Sequence, residues 1–116
     1  MGQENAESTG TRQLSGVGGQ MDFLEGAYRS KGGKGFICIN SSRVTKDGER
    51  KSNILATIPG GSTISAPRTM IQYVATEYGI ASLSGKTLRE RAEAMASIAH
   101  PDFREELMKY ARENFK

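Results

Sequence analysis

The 116-residue sequence has few of the residues that mark several classes of protein, with one cysteine, one histidine and no tryptophan. A single cysteine cannot form an internal disulfide, which excludes a disulfide-stabilised scaffold. Because Cys38 lies in the apolar run FICI, we predict a small buried side chain there, not a reactive thiol or a metal ligand. The sequence also lacks a run of about 18 apolar residues and a basic-then-apolar leader. We therefore expect a cytoplasmic protein without a membrane partner.

The charge balance is only weakly basic, with a net charge of +3. Basic and acidic residues are interleaved except at Lys31, Lys34 and between Arg43 and Lys51. This excess does not predict a nucleic-acid partner, and the basic segment is either a loop that attracts phosphate groups or a solvated loop. The chain length suits one domain that buries roughly two-thirds of its unfolded surface.

Hydrophobic periodicity divides the chain into short strands and helices. Continuous apolar runs predict strands over 36–40, 54–58 and 72–76, with a weaker one near Ile64. A helix is predicted over 22–30, and Thr87 with Glu90 has the pattern of a capping box that opens a second helix. Pro101 suits the first position of a final helix. Residues 1–12 are predicted to be loose or a displaced strand. Strands alternating with helices predict an α/β domain with an open, mainly parallel sheet flanked by helices.

The stretch SGVGGQMDF places Gly16, Gly18 and Gly19 directly before the predicted helix start near Gln20. A glycine cluster indicates positive φ angles or close approach of another group to the backbone. A turn that opens a helix presents unpaired N–H groups, which suit an anion or a developing oxyanion. The spacing matches neither GxGxxG nor GxxxxGK[ST], so no nucleotide motif is supported. A tight structural turn remains the alternative.

The segments SGVGGQMDFLEGAYRSKGGKG, TKDG, VATEYGIASLSGKTLRERA and IAHPDFREEL together resemble the C-terminal region of the acetyl-CoA hydrolase/transferase family. The 4-hydroxybutyrate and butyrate:acetate CoA-transferases are the most similar members. The resemblance runs from Gly10 to the last predicted helix. It implies the second α/β domain of a two-domain enzyme, without the N-terminal domain and without the nucleophilic glutamate. In that family a glutamate carboxylate attacks an acyl-CoA thioester, and CoA passes to a second carboxylic acid.

The resemblance also implies roles for individual residues. Gly18 and Gly19 match the oxyanion-hole region of the family. Lys46 and Glu77 match positions associated with CoA, although Lys46 lies in a segment longer than the family's turn. A solvated turn lysine is the alternative for Lys46, and a helix-start carboxylate without a ligand is the alternative for Glu77.

Other polar residues near these segments have simpler explanations. Gln20 and Asp22 are candidates for orienting the glycine loop. His100 precedes Pro101, so we predict a helix cap; no metal-ligand or Ser/His/Asp spacing surrounds it.

The implied function is part of an acyl-CoA:carboxylate CoA-transferase, with coenzyme A as the acyl carrier and no metal. The implied partners are acyl-CoA, a small carboxylate, the chain's own N-terminal domain and a second copy in a homo-oligomer. On its own the fragment is expected to be inactive. The alternative is a stand-alone module that binds CoA or an acyl phosphate without catalysis. The full reading frame of the gene distinguishes the two hypotheses.

Overall fold

A computed structural model describes residues 1–116 and contains three helices and seven short strands. No helix has both the length and the apolar character needed to cross a bilayer. The elements, in chain order, are β1 (Ser8–Thr9), β2 (Arg12–Gln13), α1 (Gln20–Arg29), β3 (Phe36–Cys38), β4 (Ser42–Val44), β5 (Arg50–Ser52), β6 (Tyr73–Thr76), β7 (Gly79–Ser82), α2 (Leu88–Ser97) and α3 (Pro101–Asn114).

The largest sheet has the strand order β3-β6-β7. β3 and β6 are parallel, with Ile37 opposite Val74, whereas β6 and β7 are antiparallel, with Val74 opposite Ala81. The pairs β1–β2 and β4–β5 are antiparallel hairpins. The α/β class is confirmed, but the prediction of a mainly parallel sheet is wrong. The chain turns back directly between Thr76 and Gly79, and such a short connection joins only antiparallel strands.

Two of the predicted strands exist and two do not. The runs 36–40 and 72–76 contain β3 and β6. The run 54–58 is irregular, because Ser52 Oγ donates to the carbonyl oxygen of Ile54 at 2.6 Å and curls the backbone locally. Near Ile64 there is only an isolated bridge between Glu4 and Ala66. That bridge and the β1–β2 hairpin favour the strand alternative for residues 1–12.

Strand alternation divides the large sheet into a buried face and an exposed face. Ile37, Val74 and Ala81 belong to the core cluster. Phe36 and Cys38 point to the opposite face and are exposed. The prediction that Cys38 is buried is therefore wrong, because only the middle residue of β3 faces the core. The other members of the core include Leu24, Ile54, Ile71, Leu83, Ile98 and Ala99.

Local capping signals define the starts of α2 and α3. Thr87 accepts from the N–H of Glu90, and the Glu90 carboxylate accepts from the N–H of Thr87, so the predicted capping box is confirmed. His100 Nδ1 accepts from the N–H of Asp102 at 3.3 Å, and Pro101 lies in the first turn of α3. The prediction that His100 is a helix cap is confirmed.

One arginine is buried without a carboxylate partner. Arg91 of α2 is 8% exposed, and its guanidinium donates to the carbonyl oxygens of Met1, Leu83 and Arg68 at 2.9, 2.7 and 2.5 Å. Burial lowers the pKa of Arg91, and the charge of Arg68 lowers it further. A Cβ on Gly2 would lie 3.1 Å from Arg91 Nη2, so the chain's first residues pack closely around this side chain. Arg91 thus joins three separate segments.

Candidate functional site

The glycine turn directly precedes α1, and a groove runs between this helix and β3. Gln20 and Phe23 lie in the first turn of α1, and Cys38 is the last residue of β3. Gln20 and Phe23 of α1 and Cys38 of β3 accordingly line the same groove, of about 450 Å³. The carboxyl edge is where α/β sheets bind ligands.

The backbone of the turn leaves the start of α1 open. Gly18 has a φ of +62°, which favours glycine, and Gly19 is the N-cap residue of α1 with no side-chain cap. The first N–H groups of the helix therefore have no capping acceptor. A Cβ on Gly19 would meet only the Phe23 ring, at an ordinary 3.8 Å. Packing within this chain does not require a glycine at position 19, which leaves room for another molecule to approach.

Glu77 lies in the β6–β7 turn and is bonded to the loop after β3. Its Oε2 accepts from the N–H of Ser41 at 2.9 Å and its Oε1 accepts from Ser41 Oγ at 2.6 Å. These two bonds lower the pKa of Glu77, so its carboxylate stays ionised. Glu77 is exposed and lies in a turn between two strands, so the helix-start position in the alternative given for it is wrong. The carboxylate fixes the loop and still presents free lone pairs to solvent.

Lys46 lies at the tip of the β4–β5 hairpin. The turn that carries it is closed by the N–H of Gly48, which donates to the carbonyl oxygen of Thr45 at 3.0 Å. The Lys46 side chain is exposed and forms no ion pair. The hairpin begins directly after Ser41, so Glu77 anchors its base, but no contact joins Lys46 to Glu77.

Two further predicted residues have distinct positions. Gln20 donates a hydrogen bond to Glu4 Oε2, which ties the start of α1 to the N-terminal segment. Asp22 lies in the first turn of α1 and is exposed. No group of three His, Cys, Asp or Glu side chains is placed to hold a metal ion.

Sequence reasoning missed Glu4 and Arg91. Burial raises the pKa of Glu4, and the hydrogen bond from Gln20 opposes part of that rise. No local pattern marks Glu4, because its hydrogen-bond partners come from α1 and from the segment at Ser65 and Ala66. Arg91 did carry a signal: it lies three residues after Leu88 and four before Met95, on the apolar stripe of α2.

Comparison with known proteins identifies relatives of this chain. Residues 1–111 match the model of the family described as acetyl-CoA hydrolase/transferase C-terminal domain. The butyryl-CoA:acetate CoA-transferase of Anaerostipes caccae is 49% identical over 95% of this chain and 25% of that protein. The 4-hydroxybutyrate coenzyme A transferase of Clostridium kluyveri is 49% identical over 99% of this chain and 26% of that protein.

The fold also matches a solved structure. RipA from Yersinia pestis superposes with a TM-score of 0.78 and 39% identity over 94% of this chain and 24% of that chain. The chain thus spans about a quarter of the length of the relatives that it matches.

Proposed function

The chain belongs to the acetyl-CoA hydrolase/transferase C-terminal domain family, and we propose that it forms part of an acyl-CoA:carboxylate CoA-transferase. In this proposal it supplies the oxyanion turn and part of the CoA site. The observation that carries the proposal is the uncapped start of α1 behind Gly18 and Gly19, next to the groove that Gln20, Phe23 and Cys38 line. The acyl donor is an acyl-CoA, and the acceptor is a small carboxylate.

The reaction begins with a glutamate carboxylate from a segment outside this chain. Its oxygen attacks the thioester carbonyl carbon, and the π electron pair of the carbonyl moves onto oxygen. When the oxyanion collapses, the C–S bond breaks and leaves an acyl-glutamyl anhydride and CoA thiolate. The thiolate attacks the anhydride to form a glutamyl-CoA thioester and free acid. A second carboxylate then takes the CoA by the reverse steps.

The glycine turn acts on the tetrahedral oxyanion. The backbone N–H of Gly19, with those of the first turn of α1, donates to the negative oxygen as the charge develops. The absence of a Cβ on Gly19 leaves space for the acyl group beside the Phe23 ring. Because these amides are fixed by the helix, little reorganisation is required when the charge forms.

Lys46 and Glu77 act on coenzyme A. The free ammonium of Lys46 pairs with phosphate groups, while Glu77 accepts hydrogen bonds from the pantetheine arm. Glu77 also holds Ser41 and therefore the base of the hairpin that carries Lys46. In this proposal one carboxylate both contacts coenzyme A and fixes the base of the hairpin that carries Lys46.

The test replaces Gly19 by valine in the complete enzyme that contains this chain. Measured as CoA transfer from butyryl-CoA to acetate, kcat should fall on the order of 10²-fold or more, the usual effect of losing an oxyanion donor. Gly16→Val is the matched control, because a Cβ at Gly16 meets nothing within 4 Å and Gly16 lies in the same loop without being the N-cap residue of α1. The 116-residue chain by itself should show no turnover, because in this mechanism the nucleophilic glutamate comes from outside it.

Equal kcat values for the two valine variants would show that the glycine turn is only a structural feature. Turnover by the isolated chain above the uncatalysed rate would remove the external glutamate from the mechanism.

A further inference from the structure

One edge of the large sheet has no neighbouring strand. The order β3-β6-β7 leaves β3 at the end of the sheet, where it pairs only with β6. On the β6 side of the strand, the carbonyl oxygen of Gly35 and the N–H of Ile39 both form ladder hydrogen bonds. Alternate residues of a parallel strand bond the same neighbour, so the N–H and C=O groups of Phe36 and Cys38 point to the open side.

These backbone groups have no partner elsewhere in the chain. Neither Phe36 nor Cys38 takes part in any of the backbone hydrogen bonds formed outside helices and strands. A strand with a free row of N–H and C=O groups is a template for another extended segment, and proteins usually cover or pair such an edge. The open side of β3 therefore presents two donors and two acceptors to an additional strand.

A groove of about 450 Å³ lies along this open side, between β3 and α1. Residues of β3 and α1 line it, and no residue of β6 or β7 does. The helix packs against the start of the strand, where a Cβ on Gly35 would lie 3.3 Å from Leu24 Cδ2. Two aromatic residues in the lining are exposed, Phe23 by 82% and Phe36 by 45%. Exposed apolar side chains that share a groove mark an interaction surface.

The order of the elements favours a strand in this groove. In a βαβ unit, the helix that leads into a parallel strand follows another strand of the same sheet. α1 leads into β3, but the two strands before α1, β1 and β2, pair only with each other. The chain spans about a quarter of the relatives that it matches, so most of each relative's polypeptide lies outside the matched region. That larger part is long enough to supply a strand.

We propose that a strand from the part of the complete polypeptide outside these 116 residues pairs with the open edge of β3, in the groove beside α1. Its backbone bonds the N–H and C=O groups of Phe36 and Cys38, and its apolar side chains pack against the rings of Phe23 and Phe36. In such strand addition, main-chain hydrogen bonds give affinity and side-chain contacts give specificity. The pairing does not depend on CoA transfer and stands whether or not the glycine turn binds an oxyanion.

Hydrogen exchange in the complete protein that contains this chain tests the backbone pairing. Read at single residues, the amides of Phe36 and Cys38 should exchange within about tenfold of the rate of Ile39, whose N–H bonds β6. Exchange of Phe36 and Cys38 at the rate of an unstructured peptide would show that the edge is open and would overturn the proposal.

Photo-crosslinking in the complete protein identifies the segment that occupies the groove. Phe36 is replaced by p-benzoylphenylalanine, and the isotope-labelled and unlabelled proteins are mixed in equal amounts. Position 36 should crosslink within one polypeptide to a single segment outside these 116 residues. Tyr28 is the matched control, because it is an exposed aromatic residue of α1 that does not line the groove. The same replacement at Tyr28 should not reach that segment.

The other crosslinking results contradict the proposal. Crosslinks from position 36 to a second polypeptide would assign the edge to another copy of the protein. Crosslinks confined to these 116 residues, or none, would leave no role for an external strand. Crosslinks from positions 28 and 36 to the same residues would show that the assigned groove is wrong. None of these results changes with kcat, so they are distinct from a failure of the proposed CoA-transferase function.

Discussion

Replacing Arg91 by methionine should strongly destabilise the protein although Arg91 touches no candidate site residue. Its guanidinium bonds three carbonyl oxygens in the segments around Met1, Arg68 and Leu83. A hydrogen bond from a charged donor contributes roughly 1.5–3 kcal/mol net, and the cost of burying the cation offsets part of the total. We expect Arg91→Met to lower the free energy of unfolding by about 3 kcal/mol, because methionine fills the space and leaves the three carbonyls without a donor.

The measurement is urea and thermal unfolding of the 116-residue protein followed by circular dichroism. A loss of this size should lower Tm by about 10–20 °C in a domain of this length. Arg89→Met is the matched control, since Arg89 lies two positions away on α2 and makes only an exposed ion pair with Glu93 at 3.0 Å. That variant should lose about 0.5 kcal/mol or less. If Arg91→Met and Arg89→Met are equally stable, the three hydrogen bonds do not hold the segments together and the reasoning fails.

The remaining predictions concern Lys46 and Glu77. In the complete enzyme, Lys46→Ala should raise the KM for acyl-CoA, and this increase should depend on the salt concentration. Glu77→Ala should raise the KM and also lower kcat. Unchanged kinetics in both variants would remove these residues from the site. In the folded protein the pKa of Glu77 lies below its ordinary value of 4.5. The ionised carboxylate therefore stabilises the fold fully above pH 4.5, and this stabilisation is lost as the pH falls through the lowered pKa. The Tm difference between the wild-type protein and Glu77→Gln should therefore be full at neutral pH and shrink in acid, and a pH-independent difference would contradict this.

The helices could be predicted because their signals are local. The Thr87 and Glu90 capping box and the Pro101 start depend on residues within one turn, and the structure has both. The sheet could be predicted only in part, since an apolar run indicates burial and not pairing. Ile54 is buried like a strand residue, yet Ser52 bonds its backbone and no neighbouring strand is available.

The antiparallel direction of β7 relative to β6 could not be predicted from the pattern of apolar residues. The pattern TEYG indicates the end of a strand, but it does not indicate that the chain reverses direction at Gly79, where φ is +141°. Thr76 Oγ1 accepts from the N–H of Tyr78 at 3.1 Å and stabilises this reversal. A glycine three residues after a threonine at a strand end was the available signal for a hairpin.

The sequence predicts those features of the candidate site that depend on which residues precede or follow a helix or strand. Gly18 and Gly19 precede a helix and Glu77 follows a strand, as expected. The bond between Glu77 and Ser41 was not predictable, because the two residues are 36 positions apart and pair only when β3 lies beside β6. Glu4 was missed for the same reason: its burial and its bond to Gln20 depend on tertiary contacts.

The parallel pairing of β3 with β6 favours one order of assembly through the entropy of loop closure. Gly35 and Gln72, which bond at the start of this pair, are 37 residues apart, so the pairing closes a long loop. The β6–β7 hairpin and the α2–α3 pair join neighbouring segments and carry a much smaller loop-closure entropy. The C-terminal half can therefore form from near-neighbour contacts and present the edge of β6 as a template. The groove between α1 and β3, beside the glycine turn, is complete only when β3 has docked on that template.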